Sequence, residues 1–108
     1  MFTKHKFESA KLASFVWNGE TATVPAGSYL AVWQSDKMVY MDIMDEDDNE
    51  YSLAQIKLKT REITDEQQEE IDEIIDQYGG MNITDGVNLD TVIDSIAIGL
   101  TNAGLLKC

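Results

Sequence analysis

Over the first sixty residues, hydrophobic and polar positions alternate with a period of two, which predicts antiparallel β structure. The clearest signal is SFVWNGETATV, in which Asn18-Gly19 separates two β-prone runs and suits the positive φ angles of a type I′ turn. Pro25 ends the second strand because proline has no N–H to donate to a neighbour. YLAVWQ and KMVYMDIM predict a second hairpin joined near Ser35-Asp36, and YSLAQIKLKTRE predicts a fifth strand.

Alternation also assigns side chains to the two faces of these strands. In the fourth strand one face holds Val39, Met41 and Ile43, and the other holds Tyr40, Asp42 and Met44. In the fifth strand an apolar face (Ala54, Ile56, Leu58) alternates with a largely cationic one (Gln55, Lys57, Lys59, Arg61). Both strands are therefore expected to be buried on one face only.

At Ile63-Thr64 the period changes from two to 3.6, which predicts a helix. Thr64 is the predicted N-cap, and Gln67 completes a capping box with it. A narrow apolar stripe follows at helical spacing: Ile71, Ile74, Ile75 and Tyr78. Gly79-Gly80 is predicted to end this helix.

MNITDGVN predicts a loop, and a second helix is expected after Asn88. Its apolar stripe is broader: Leu89, Val92, Ile93, Ile96, Leu100 and Ala103. Ile98 lies on the opposite side, so this helix is expected to be covered on two faces or to end early. Gly104 is a candidate C-cap.

Together these elements predict one α+β domain over residues 1–108, β-rich over 1–61 and acidic and helical over 62–108. The expected architecture is a five-stranded antiparallel sheet, or a small open barrel, followed by two C-terminal helices packed on it. No apolar run is long enough to span a membrane. A single cysteine, with no secretory signal pattern, favours the cytoplasm.

Charge is distributed very unevenly along the chain. The net charge is −12, and residues 62–106 hold eleven acids and no lysine or arginine. Seven of these acids lie on the first predicted helix: Asp65, Glu66, Glu69, Glu70, Asp72, Glu73 and Asp76. Like charges four residues apart destabilise a helix. The row is therefore either a solvated face that aids solubility or a surface that meets a basic groove on another protein.

Candidate catalytic and metal-binding groups are few. His5 is the only histidine and Cys108 the only cysteine, so neither a zinc site nor a Cys-His or Ser-His-Asp constellation is expected. DEDDNE resembles a calcium loop only in part. Asp45, Asp47 and Asn49 stand at ligand spacing, but Glu50 replaces the required glycine and no terminal bidentate glutamate follows, which leaves at most a weak cation site. No phosphate-binding glycine motif is present, and the sequence predicts neither an enzyme nor a cofactor.

Most aromatic residues lie on predicted strands and are expected to pack in the core. Trp17, beside the Asn-Gly turn, and Tyr40 are the two candidates for partner contact, since aromatic residues are enriched at interface hot spots. Direct nucleic-acid binding is not expected, because the cations that would accompany stacking rings are absent.

In size and charge the chain resembles the small acidic proteins of phages and mobile elements that inhibit nucleic-acid-binding host proteins, some of them as DNA mimics. That resemblance implies a non-enzymatic inhibitor or regulator that docks on a basic, nucleic-acid-binding surface of a partner protein. The expected contacts are the seven carboxylates, Trp17 and Tyr40. A structural protein acting as a homo-oligomer is the alternative, followed by a carboxylate-dependent hydrolase.

Overall fold

The computed structural model describes residues 11–106 as six strands and two helices. The strands are β1 (Leu12–Trp17), β2 (Glu20–Pro25), β3 (Tyr29–Ser35), β4 (Met38–Met44), β5 (Glu50–Lys57) and β6 (Val87–Asn88), and the helices are α1 (Asp65–Tyr78) and α2 (Leu89–Asn102). His5 and Cys108 lie outside the described residues.

The α+β class predicted from the sequence is confirmed, but residues 11–106 do not form a single five-stranded sheet or barrel. This part of the chain forms two three-stranded sheets, with strand orders β2-β1-β6 and β3-β4-β5. The division falls after Pro25, where Gly27 adopts a φ of 93° and the chain turns away before β3 begins. The first two predicted strands therefore separate from the other three.

The turn between β1 and β2 has the backbone that its sequence predicts. Asn18 and Gly19 both have positive φ, 56° and 77°, as a type I′ turn requires. Trp17 pairs with Glu20 across the turn. The carboxylate of Asp90, on α2, accepts the backbone N–H groups of both turn residues, so the hairpin is attached to the helix.

Strand β6 lies in a segment whose composition predicts only a loop. It pairs in parallel with β1, with Val87 opposite Phe15. Just before it, Gly86 donates its N–H to the Ser14 carbonyl at 2.8 Å, and Asp85 Oδ1 accepts the Ser14 N–H at 2.8 Å. These contacts place the first described strand and the segment just before α2 in one sheet.

Both helices begin where their caps predict. Thr64 and Gln67 form the capping box of α1, and the helix ends at the C-cap Gly79. Asn88 caps α2 by accepting the N–H of Thr91. The expectation that α2 ends early or is covered on two faces is wrong, because it continues to Asn102 and leaves Ile98 60% exposed.

The core forms between the inner faces of the sheets and the two helices. α1 lies against β3, α2 lies against β1, and the helices contact each other. Gly99 allows this close approach, since a Cβ there would lie 3.1 Å from Ile74 Cδ1. One buried cluster includes residues from every layer, among them Phe15, Leu30, Met41, Ile43, Ile71, Leu89, Ile96 and Leu100.

Candidate functional site: the acidic face of α1

The acidic face of α1 consists of the seven carboxylates predicted from the sequence, and all seven side chains are exposed: Asp65, Glu66, Glu69, Glu70, Asp72, Glu73 and Asp76. Within residues 11–106 none of them forms an ion pair with a lysine or arginine. Asp72 does accept a hydrogen bond from Gln68 Nε2 at 3.0 Å. The last turn of α1 contains no basic residue, so its helix dipole is not compensated by a cation there.

The buried side of the helix fixes which way this face points. Ile71 and Ile74 are buried in the core. Gln68 forms two side-chain hydrogen bonds with Gln34 on β3, of 2.7 and 3.3 Å. These contacts hold one side of α1 against the sheet, and the carboxylates project from the remaining sides.

Gln67 joins the beginning of α1 to the end of α2. Its Oε1 accepts the backbone N–H of Thr64 at 3.0 Å, and its Nε2 donates to the carbonyl oxygen of Ala103 at 3.1 Å. The acidic first turn of α1 therefore lies beside the carbonyl-bearing end of α2. Because that end carries the negative pole of the helix dipole, the negative potential there is reinforced.

An open groove of ≈ 420 Å³ runs along the surface where the two helices meet. It is lined by Glu66, Gln67, Glu70, Gly99, Asn102 and Ala103. Glu66 and Glu70 contribute two carboxylates to its lining, and the space is large enough for a side chain. By its charge, the groove suits a cationic group rather than an anionic one.

The two aromatic residues predicted to contact a partner, Trp17 and Tyr40, do not lie on this face. Trp17 packs against the hydrophobic core at the end of β1. Tyr40 pairs with Trp33 on the face of the β3-β4-β5 sheet opposite to the one that carries Gln34 and α1. Neither ring is therefore grouped with the acidic face of α1.

The acidic loop between β4 and β5 is organised around Asp45, whose side chain is 4% exposed. Its carboxylate accepts the N–H groups of Asp47 and Asn49, the side-chain amide of Asn49 and the Tyr51 hydroxyl, at 2.9 to 3.3 Å. Burial alone would raise the pKa of Asp45, but these hydrogen bonds lower it below its ordinary 3.8. Asp45 thus serves as an internal acceptor for its own loop.

That arrangement corrects the sequence-based suggestion of a weak cation site. The first of the candidate ligands, Asp45, already receives four hydrogen bonds. Among residues 11–106, no three His, Cys, Asp or Glu side chains are placed to hold a metal ion together. The loop is therefore a hydrogen-bonded turn. Within it, Asp48 adopts a positive φ of 62°.

A second group of side chains contains Tyr40, but its other members, Trp33 and Asp42, were not candidates from the sequence. On the outer face of the β3-β4-β5 sheet, Trp33 stacks on Tyr40, and its Nε1 donates to Asp42 Oδ2 at 2.6 Å. Alternation predicted that Asp42 lies on this face, but not that it is only 3% exposed. The sequence signal that could have indicated its burial was the position of Asp42 in the middle of an otherwise uncharged, largely apolar strand.

Comparisons with known proteins do not assign this chain to a family. The chain matches no protein-family model, and it has no significant similarity to a curated protein or to a solved structure. In the part of the chain that the structure describes, neither helix has the length and hydrophobicity needed to cross a membrane.

Proposed function

We propose that this chain is a non-enzymatic binding protein that inhibits or regulates its target. In this proposal the acidic face of α1 docks on a basic, nucleic-acid-binding surface of a partner protein and blocks it. The observation that carries the proposal is the set of seven exposed carboxylates on one capped helix, with no cation paired to any of them in residues 11–106.

The spacing of these charges is comparable with that of a nucleic-acid backbone. Side chains three or four residues apart on a helix have Cβ atoms about 5–6 Å apart. Neighbouring phosphates along one DNA strand are roughly 7 Å apart, by an estimate based on the axial charge spacing. A groove that binds phosphates through lysine and arginine can therefore accept a row of carboxylates of this kind.

The helix is also held in a way that suits docking. Its capping box, its buried isoleucines and the Gln67 and Gln68 hydrogen bonds fix its position before any partner arrives. A preformed surface loses little conformational entropy on binding. The groove between α1 and α2 offers one lysine or arginine of the partner a place between Glu66 and Glu70. Charge complementarity would chiefly raise the association rate and make it sensitive to salt.

The test compares two charge-matched triple variants of the full chain. One carries Glu69→Gln, Glu70→Gln and Glu73→Gln on α1. The control carries Glu20→Gln, Glu46→Gln and Asp94→Asn, three exposed acids outside α1 that form no side-chain hydrogen bond in the described structure. Both have the same net charge, so a difference between them reports position rather than total charge.

Proteins captured from a cell lysate at low salt are identified, and the basic partner is purified for binding and nucleic-acid competition assays. We expect the α1 variant to bind about tenfold more weakly than the control, since each exposed ion pair contributes about 0.2–1 kcal/mol. Wild-type binding should weaken as salt rises and should displace nucleic acid from the partner. Equal binding by the two variants would refute the proposal. Self-association with no salt-sensitive partner would instead support the homo-oligomeric alternative.

A further inference from the structure

The outer face of the β3-β4-β5 sheet displays an aromatic platform that the core does not use. Trp33 on β3 and Tyr40 on β4 are directly opposite in the register and stack with ring centroids 4.1 Å apart and an interplanar angle of 15°. Trp33 is 41% exposed. One face of its indole lies against Tyr40, so the exposed area belongs to the opposite face and the ring edge.

A buried carboxylate fixes the orientation of this platform. The indole Nε1 of Trp33 donates to Asp42 Oδ2 at 2.6 Å, and Asp42 is 3% exposed. Its cross-strand neighbours are small, Ala31 on β3 and Ser52 on β5. Small neighbours leave room for the indole to reach the carboxylate, so the ring is held by both stacking and a hydrogen bond.

A second carboxyl group lies against the first. Glu50, at the start of β5, is exposed, and its carboxyl hydrogen-bonds to that of Asp42. This hydrogen bond, followed by repulsion from the Asp42 charge, raises the pKa of Glu50 above its ordinary 4.5. Within residues 11–106 neither carboxylate is paired with a lysine or arginine. The nearest cation along β5, Lys57, is at the other end of the strand, opposite Met38.

We propose that this face, formed by Trp33, Tyr40, Asp42 and Glu50, binds an arginine side chain presented by a partner protein. The guanidinium would lie over the exposed face of the Trp33 indole and donate to the Glu50 carboxylate at its edge. The cation would also relieve the repulsion between Glu50 and Asp42.

The chemistry of the face favours arginine over lysine. A guanidinium is planar, stacks on aromatic rings and donates through several N–H groups at once. An ammonium is more strongly hydrated and offers no plane to stack. Tryptophan is the best of the aromatic side chains for such a contact. A charge-assisted hydrogen bond to a carboxylate adds to it.

This surface is separate from the acidic face of α1. The Gln34–Gln68 contact places α1 on the inner side of the sheet, whereas Trp33 and Tyr40 occupy the outer side. The inference therefore does not depend on the docking proposed for α1, and each of the two can fail without the other.

The experiment uses the full chain labelled with ¹⁵N and titrated with N-acetyl-arginine methylamide. The readout is the indole N–H resonance of Trp33, assigned with a Trp33→Phe variant, and the Trp17 indole serves as an internal reference. We expect a saturable shift at Trp33 with a millimolar dissociation constant, and little shift at Trp17. N-acetyl-norleucine methylamide, which has no guanidinium, should leave both resonances in place.

Three variants locate the binding. Glu50→Gln should weaken binding by about threefold, the size expected for one exposed ion pair. Glu20→Gln, which removes the same charge from the other sheet, and the α1 triple glutamine variant should bind as the wild type does. A non-saturating shift, or an unchanged affinity in Glu50→Gln, would overturn the inference. Loss of binding in the α1 variant would assign the arginine to α1 instead, which overturns this inference but leaves the proposed function standing.

Discussion

The carboxylate of Asp90, in the first turn of α2, binds the backbone of Asn18 across 72 residues of sequence. Asp90 Oδ1 accepts the Asn18 N–H at 2.7 Å, and Oδ2 accepts the Gly19 N–H at 3.0 Å. The positive φ angles of the type I′ turn direct both N–H groups to one side, where they form a small anion-binding concavity. One carboxylate therefore links the hairpin of the first sheet to the start of a helix.

Replacing Asp90 with alanine should lower the free energy of unfolding by about 1–3 kcal/mol, because two N–H groups lose a charged acceptor. Asp90→Asn should be less damaging, since one amide oxygen still accepts. The measurement is urea denaturation monitored by tryptophan fluorescence. Asp94→Ala is the control, because Asp94 is exposed one turn later on α2 and should change stability by less than about 0.5 kcal/mol. Equal effects of the two alanine variants would contradict this account.

Asp45 should make the stability of the protein depend on acid pH. The pKa of Asp45 is lowered below 3.8, because hydrogen bonds to its charged form outweigh the effect of burial. The folded state thus binds this proton less readily than the unfolded state does. The contribution to stability is complete above pH 3.8 and disappears as the pH falls through the lowered, folded-state pKa.

Asp45→Asn is accordingly expected to cost about 1–3 kcal/mol at pH 7, and the difference from wild type should narrow below pH 3.8. Denaturation at a series of pH values measures this. Asp48→Asn is the matched control, since Asp48 is exposed and asparagine tolerates its positive φ of 62°. If the difference in unfolding free energy between Asp45→Asn and the wild type stays constant with pH, the hydrogen bonds do not depend on the charge of Asp45.

Glu50 should make the stability of the protein depend on pH in the direction opposite to that of Asp45. The hydrogen bond with Asp42 raises the pKa of Glu50 above 4.5, so the folded state holds this proton more tightly than the unfolded state. Its favourable contribution is present below pH 4.5 and is lost as the pH rises through the raised, folded-state pKa. Glutamine at position 50 can donate to Asp42 at any pH.

The melting temperature of Glu50→Gln, relative to wild type, should therefore increase between pH 4 and pH 7. Glu20→Gln should show no such trend. The pKa of Glu50 can also be followed directly from its side-chain carbonyl resonance by NMR. An ordinary pKa for Glu50 would mean that its carboxyl group does not share a proton with that of Asp42 in solution.

The acidic face of α1 offers a prediction in which stability and binding change in opposite directions. Glu70→Lys replaces a repulsive i,i+4 pair with Glu66 by an attractive one, which should stabilise the helix by about 0.5 kcal/mol at low salt. The gain should shrink in 0.5 M NaCl because the pair is exposed. The same substitution should weaken binding to the basic partner more than Glu70→Gln does. Stabilisation without loss of binding would indicate that the face only aids solubility.

Features fixed by neighbouring residues could be predicted from the sequence. Asn18-Gly19 specifies its turn, and Thr64 with Gln67 specifies the start of α1, because each depends on backbone geometry within a few positions. The exposure of the seven carboxylates followed from helical periodicity around Ile71 and Ile74.

Features that depend on distant pairing could not be predicted. Nothing in the composition of residues 81–88 indicates that Val87 will lie beside Phe15, and that pairing, together with the turn after Pro25, divides the predicted single sheet into two. The burial of Asp42 likewise depends on Trp33, which reaches it from another strand. For the candidate site, the sequence predicted the charges on α1 but not that Tyr40 would lie beside Trp33 on a different surface.

The parallel pairing of β6 with β1 also bears on how the protein forms during translation. The β1–β2 hairpin leaves the ribosome before the residues that complete its sheet, and at about 5–20 residues per second the intervening segment takes roughly 3–12 s to synthesise. During that interval the free edge of β1 is open to pairing with other chains. A nascent chain of this kind should benefit from a chaperone that shields the hairpin until Val87 and Asp90 emerge.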